Sequence, residues 1–99
     1  MQSIFTSNMF VEADGSVTLS LNEIDLAENG KTVHDAKLAL AKDILEYAEN
    51  YQSEFELWNS APNRRGHEVY VSFARSIGDP KVICDYITIS DVVYGATRT

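Results

Sequence analysis

An α+β fold follows from three observations on this 99-residue chain: hairpin-forming segments ahead of residue 31, one long amphipathic helix after it, and short helix-like segments beyond. The expected architecture is a three-stranded antiparallel sheet packed on one long helix (β-β-β-α), followed by two or three short helices. Residues 1–89 are expected to form a single α+β domain: a β meander over 1–31, the main helix region over 32–60 and short helices over 66–88. Residues 90–99, SDVVYGATRT, read as a loose C-terminal tail.

Residues 3–12 form the first expected strand, with Ile4, Phe5, Met9, Phe10 and Val11 as its apolar content. Asp14-Gly15 follows, a pair suited to the positive backbone angles of a tight hairpin turn. In the second strand Val17, Leu19 and Leu21 alternate with Thr18, Ser20 and Asn22, so one face is buried and the other wet. A two-residue turn would pair Phe10 with Leu19 and leave Met9 and Val11 beside Thr18 and Ser20. Either a bulge shifts that pairing or the second face is covered too. Residues 23–28 hold a short third extended segment around Ile24 and Leu26, and Asn29-Gly30 reads as the turn into the helix.

Thr32 is the candidate N-cap of that helix. Asp35 three residues later completes a capping box and faces the positive end of the helix dipole. On a helical wheel Val33, Ala36, Leu40, Ile44, Tyr47 and Tyr51 share one stripe, widened by Leu38, Ala41, Leu45 and Ala48. Asp43, Glu46, Glu49 and Asn50 take the opposite side, with Lys42 among them. So wide an apolar arc needs a sheet and something more, either a second helix or a second subunit.

Phe55, Leu57 and Trp58 extend the pattern until Ala61-Pro62-Asn63 stops it. Beyond Gly66, the residues Val69, Tyr70, Phe73, Ala74 and Ile77 recur at helical spacing. Gly78 serves as the stop, and Asp79-Pro80 supplies an N-cap with proline at the first helical position. The last short helix would turn Val82, Ile83, Tyr86 and Ile87 inward. The same residues, VICDYITI, are also β-rich; the cap favours helix and leaves strand as the alternative.

The net charge of −7 argues against broad binding to phosphate backbones. It is unevenly spread: residues 1–61 carry 11 acids and 3 bases, a net −8, whereas residues 62–99 carry 4 acids and 5 bases, a net +1. An acidic N-terminal portion suits a basic partner or a solvated surface. No apolar run reaches the roughly 18 residues that a membrane span requires. With no basic, apolar leader at the N-terminus and one cysteine, Cys84, the expected location is cytoplasmic.

The chemistry-bearing residues are sparse. Glu12, Asp14, Glu23 and Asp25 are the carboxylates that a divalent metal or acid–base catalysis would use, yet Asp14 is explained by its turn and Glu12 and Glu23 by solvated strand positions. His34 and His67 have no second ligand at metal spacing, Cys84 sits in no nucleophile motif, and no glycine-rich phosphate loop occurs. The expectation is a non-enzyme without cofactor or metal. Arg64 and Arg65, within APNRRGH, form the one basic cluster. With Lys81 they are the candidate nucleic-acid contacts; helix 67–77, the Gly78-Asp79 turn and helix 80–88 could imitate a helix-turn-helix, whose second helix offers only Lys81 to DNA and carries Asp85.

The run from Asp14 to Glu46, with Gly30-x-Thr32-x-x-Asp35-Ala36 opening the helix, resembles the N-terminal fold of HicB-type antitoxins. More closely, the stretch from Val17 to Tyr51 followed by APNRRGH is similar to bacterial antitoxins of RelE/RelB-type systems, over about residues 12–88. The resemblance implies a homodimer, no catalysis, and a small toxin as partner, commonly an RNA-cleaving one. An antitoxin that masks a basic toxin would use the acidic helix face, Asp43, Glu46 and Glu49, and the apolar residues Tyr70 and Phe73. The rival readings are a DNA-binding autoregulator and a metal-dependent nuclease remnant.

Overall fold

The computed structural model describes residues 4–53 and 67–96. Its first three strands are β1 (Phe5–Glu12), β2 (Val17–Leu21) and β3 (Ala27–Gly30), and the long helix is α1 (Val33–Ser53). Two shorter helices follow, α2 (Glu68–Ile77) and α3 (Pro80–Ile83), then a 3-10 turn over Cys84–Tyr86 and a fourth strand, β4 (Ile87–Ala96). The strand order is β3-β2-β1-β4; the first three are antiparallel, and β4 runs parallel to β1.

The fold is therefore α+β, but its sheet is mixed and four-stranded rather than three-stranded and antiparallel. Residues 90–96 of the expected tail belong to the outer strand. Its β-branched and aromatic residues suit an extended chain, and it reaches β1 because α1, α2 and α3 carry the chain back to the strand's starting end. Residues 80–86 resolve in favour of helix and 3-10 turn, and residues from Ile87 onward in favour of strand.

The β1–β2 hairpin closes through Ala13, Asp14 and Gly15, not through two residues. Glu12 N–H donates to the Ser16 carbonyl, Gly15 N–H to the Glu12 carbonyl, and Gly15 takes φ +88°. This three-residue loop with glycine in the left-handed region shifts the register so that Met9 faces Leu19 and Val11 faces Val17. Met9 and Val11 then share a face with Val17, Leu19 and Leu21, while Phe10 turns to the other face beside Thr18. The bulge alternative holds.

β3 also begins later than the apolar pattern indicates. Asn22–Asp25 form a bend in which Ile24 is buried, and Asn29 and Gly30 are the strand's last paired residues, not a turn. Gly30 lies so close beneath the start of α1 that an added Cβ would sit 2.5 Å from the Ala36 backbone nitrogen and 2.9 Å from the Asp35 carbonyl carbon. Thr32 then caps the helix, its Oγ1 accepting from Asp35 N–H at 3.1 Å and its carbonyl from Ala36 N–H. The Gly-x-Thr-x-x-Asp-Ala run thus joins a strand to a helix at close range.

α1 buries Ala36, Leu40, Ala41, Ile44, Ala48 and Tyr51. One flank covers β2 and β3; the other meets α2 and α3. The second half of its apolar arc is thus occupied within the chain, and the arc by itself does not call for a second subunit. In α2 the buried residues are Val71 and Ala74, with Tyr70, Phe73 and Ile77 half-buried and Val69 turned outward. Gly78, at φ +72°, ends α2 by donating to the Ala74 carbonyl, and Asp79 caps α3 by accepting from Lys81 N–H at 2.9 Å. Ile83 and Ile87 are buried, whereas Val82 is exposed. Residues 54–60, where the main helix region was expected to end, lie outside the described residues.

Two substitutions test this packing by chemical denaturation. Leu40→Ala, at a fully buried position, should cost about 2–5 kcal/mol; a near-neutral result would mean that α1 is rotated. Gly30→Ala should cost about 1–3 kcal/mol, because the added methyl meets backbone rather than a flexible side chain.

Candidate functional site

The acidic stripe of α1 is set by helical spacing: Asp43, Glu46, Tyr47 and Asn50 fall at i, i+3, i+4 and i+7. With Leu26 from the segment leading into β3 they line an open depression of about 200 Å³. Tyr47 Oη is 2.6 Å from His67 Nδ1, which ties one wall of the depression to the start of α2. His67 is accordingly a buried structural residue.

Glu28, half-buried on β3, stands against Asp43. The hydrogen bond between the two carboxyl groups, then burial, then the negative charge of Asp43 push the Glu28 carboxyl up to about 7. Such a pair holds a proton near neutral pH and would release it to an approaching cation. Spacing along α1 identifies Asp43 and Glu46, but nothing in the sequence marks Glu28, whose role depends on β3 lying beside the helix. Glu49 is exposed and does not line the depression.

The other candidate contacts are placed differently. Tyr70 and Phe73 are half-buried, with ring centroids 5.9 and 6.1 Å from that of Phe5, and Phe73 also meets Tyr86 edge-on at 4.9 Å. Their rings belong largely to the packing of α2 on β1. Lys81 is exposed on α3, and α3 has only four residues, so the expected second helix of a helix-turn-helix is a single turn. Arg64 and Arg65 lie outside the described residues.

The four carboxylates considered for metal chemistry do not converge. Glu12 accepts from Thr18 Oγ1 at 2.6 Å, and Asp14 accepts from Ser16 N–H and Oγ. The Ser16 bonds hold the Asp14 carboxyl below its usual range. Glu23 is not a solvated strand residue: its two oxygens accept from the backbone N–H and the hydroxyl of Thr6, fastening the bend before β3 to the start of β1. Among the described residues no three His, Cys, Asp or Glu side chains gather as a metal site would require. Cys84 is buried, and burial pushes its thiol up, away from the reactive thiolate. No described helix is long and apolar enough to cross a membrane.

The raised pKa of Glu28 gives stability a testable dependence on pH. Between about 4.5 and about 7 the folded chain retains a proton on Glu28 that the unfolded chain has lost, so this group lowers stability progressively as pH rises through that window. Glu28→Gln should therefore withstand more denaturant than the parent above pH 7 and show a flatter profile below it. A profile identical to the parent's would contradict the pairing with Asp43.

Comparison with known proteins agrees with this reading of the fold. Residues 3–87 match the family model PHD_like, described as the antitoxin of toxin–antitoxin, RelE/RelB, systems. No curated protein matches the chain. A crystal structure from Syntrophomonas wolfei subsp. wolfei, described as an antitoxin part of a toxin/antitoxin system, superposes with a TM-score of 0.82 at 28% identity. The superposition covers 89% of this chain and 63% of that one, so the chain spans less than two-thirds of its structural relative. The matched description is that of RelE/RelB-type antitoxins. With 85 of its 99 residues inside the family match, the chain belongs to the PHD_like antitoxins of toxin–antitoxin systems.

Proposed function

We propose that this antitoxin masks a small basic toxin, an RNA-cleaving one, in the cytoplasm, as a homodimer and without catalysis of its own. The observation that carries the reading is the joint placement of Asp43 and Glu46 on a depression flanked by the Glu28 carboxyl, in a family of antitoxins. An arginine or lysine of the toxin would enter the depression, its alkyl stem against Leu26 and Tyr47 and its charge against the carboxylates. The uneven charge supports it: the −8 of residues 1–61, from 11 acids and 3 bases, also steers a cationic partner toward this end of the chain. Glu49 adds to the field from outside the depression. Tyr70 and Phe73 offer their half-exposed edges as a secondary apolar contact.

A DNA-binding role would rest on Arg64, Arg65 and Lys81; of these the described structure places only Lys81, on a single helical turn. The masking role is the better supported.

Co-expression with the genomic neighbours, followed by affinity measurement on the purified complex, tests it. Asp43→Lys with Glu46→Lys should weaken toxin binding by about tenfold or more, since like charges set together at an interface cost about a kcal/mol or several. Glu49→Lys should weaken it less. Binding should also strengthen as pH rises through about 7, where an arriving cation displaces the Glu28 proton. Unchanged affinity in the double variant would sink this assignment of the site.

A further inference from the structure

β4 is an edge strand whose cover runs out along its length. The register with β1 places Ile87, Ile89, Val92 and Tyr94 beside Phe5, Ser7, Met9 and Val11 on the helix-facing side, with Ser90 as an extra residue that keeps the alternation in step. Ile87 is 1% exposed, Ile89 half-buried, Val92 37% exposed and Tyr94 77% exposed. On the opposite side Val93, beside Phe10, is 40% exposed. Among the described residues no strand pairs with the outer edge of β4. Long, apolar strand edges of this kind are templates for pairing.

We propose that this edge is where two copies of the chain join, through antiparallel pairing of β4 with its counterpart across a two-fold axis at Val92. Charge decides the occupant. A basic toxin is drawn to the β3–α1 flank, at the other end of the strand order, where Glu28, Asp43 and Glu46 lie. Two chains of −7 can approach closely only through a surface poor in carboxylates, and within Ile87–Ala96 the one charged residue is Asp91. Centring the pair on Val92 keeps Val92 on the helix-facing side, and Asp91 and Val93 on the other, in both strands. It sets Val92 against the partner subunit's Val92 and Asp91 against the partner subunit's Val93, so the two Asp91 carboxylates are not directly opposed. It also carries the uncovered Tyr94 alongside the partner subunit's Ser90 and Ile89, next to the part of that strand which its own helices cover. The result is a continuous eight-stranded sheet with both helical layers on one face. The inference deepens the homodimer reading given above by naming its surface.

The test uses the full chain. Light scattering over a broad concentration range should reach twice the 11.1 kDa chain mass. Val92→Cys should cross-link to a covalent dimer under mild oxidation, because directly opposed residues lie within disulfide reach, while the parent, whose thiol is buried at Cys84, should not. Val93→Lys with Tyr94→Lys should weaken self-association by about tenfold or more while keeping the parent's unfolding midpoint at concentrations where both are monomeric. A chain that stays monomeric at all concentrations would overturn the proposal, as would a dimer that Val92→Cys does not link and the lysines do not weaken. Protection of β4 amides from exchange only when toxin is present would also overturn it, naming a toxin strand as the occupant. Toxin co-purification is read separately, so a monomer that still binds toxin removes the dimer and leaves the antitoxin reading intact.

Discussion

The parallel pairing of β1 with β4 is the constraint on which the rest of this structure depends. It joins strands from the two ends of the chain: the buried Ser7 hydroxyl donates to the Thr88 carbonyl, 81 residues away, at 2.9 Å. Parallel neighbours cannot be joined by a tight turn, so the chain between them must cross back over one face of the sheet. α1, α2 and α3 make that return, which is why all three lie on the side carrying Phe5, Leu19 and Leu21. β1 becomes an interior strand, with its backbone groups engaged on both sides. One consequence is that α1 finds both of its neighbours, sheet and helix, inside a single chain.

Most local features were legible in the sequence because each rests on a short run of residues with one physical reading. The Thr32 cap, the Gly78 stop and the Asp79-Pro80 start all stand where spacing puts them. The hairpin was legible but its register was not. Asp14-Gly15 serves two-residue and three-residue loops alike, and the shared face of Met9, Val11, Val17 and Leu19 selects the longer one only once pairing is seen. β4 was hidden for a related reason. The extra residues at Ser90 and Gly95 break the period-two pattern that marks a strand, so the stretch reads as irregular although its residues favour extension. Gly30 looked like a turn residue beside Asn29. Its requirement comes instead from helix backbone passing within 2.5 Å of where a Cβ would stand, a contact invisible without the tertiary fold.

The candidate site follows the same division. Asp43 and Glu46 could be assigned to one helix face from spacing alone; Glu28 could not, because it reaches that face only when β3 lies against α1. The sheet order then separates two surfaces of different chemistry. The β3 side presents carboxyl groups around a small depression, and the β4 side presents valines, a tyrosine and a single aspartate. In the proposed arrangement, opposite edges of one sheet leave the carboxyl side open to a cationic partner while the β4 side meets a second copy. Buried Cys84, His67 and hydrogen-bonded Glu12, Asp14 and Glu23 all take part in contacts that hold the fold.

If β4 completes the sheet, removing it should unfasten β1. The most direct measurement is chemical denaturation of a chain ending at Ile89, compared with the full chain. The loss of residues 90–99 should lower the unfolding midpoint clearly and speed amide exchange in β1 from Asn8 to Glu12, whose partners are Asp91–Ala96. A truncated chain with the midpoint and β1 protection of the full protein would show these residues to be a dispensable tail, and would contradict the account.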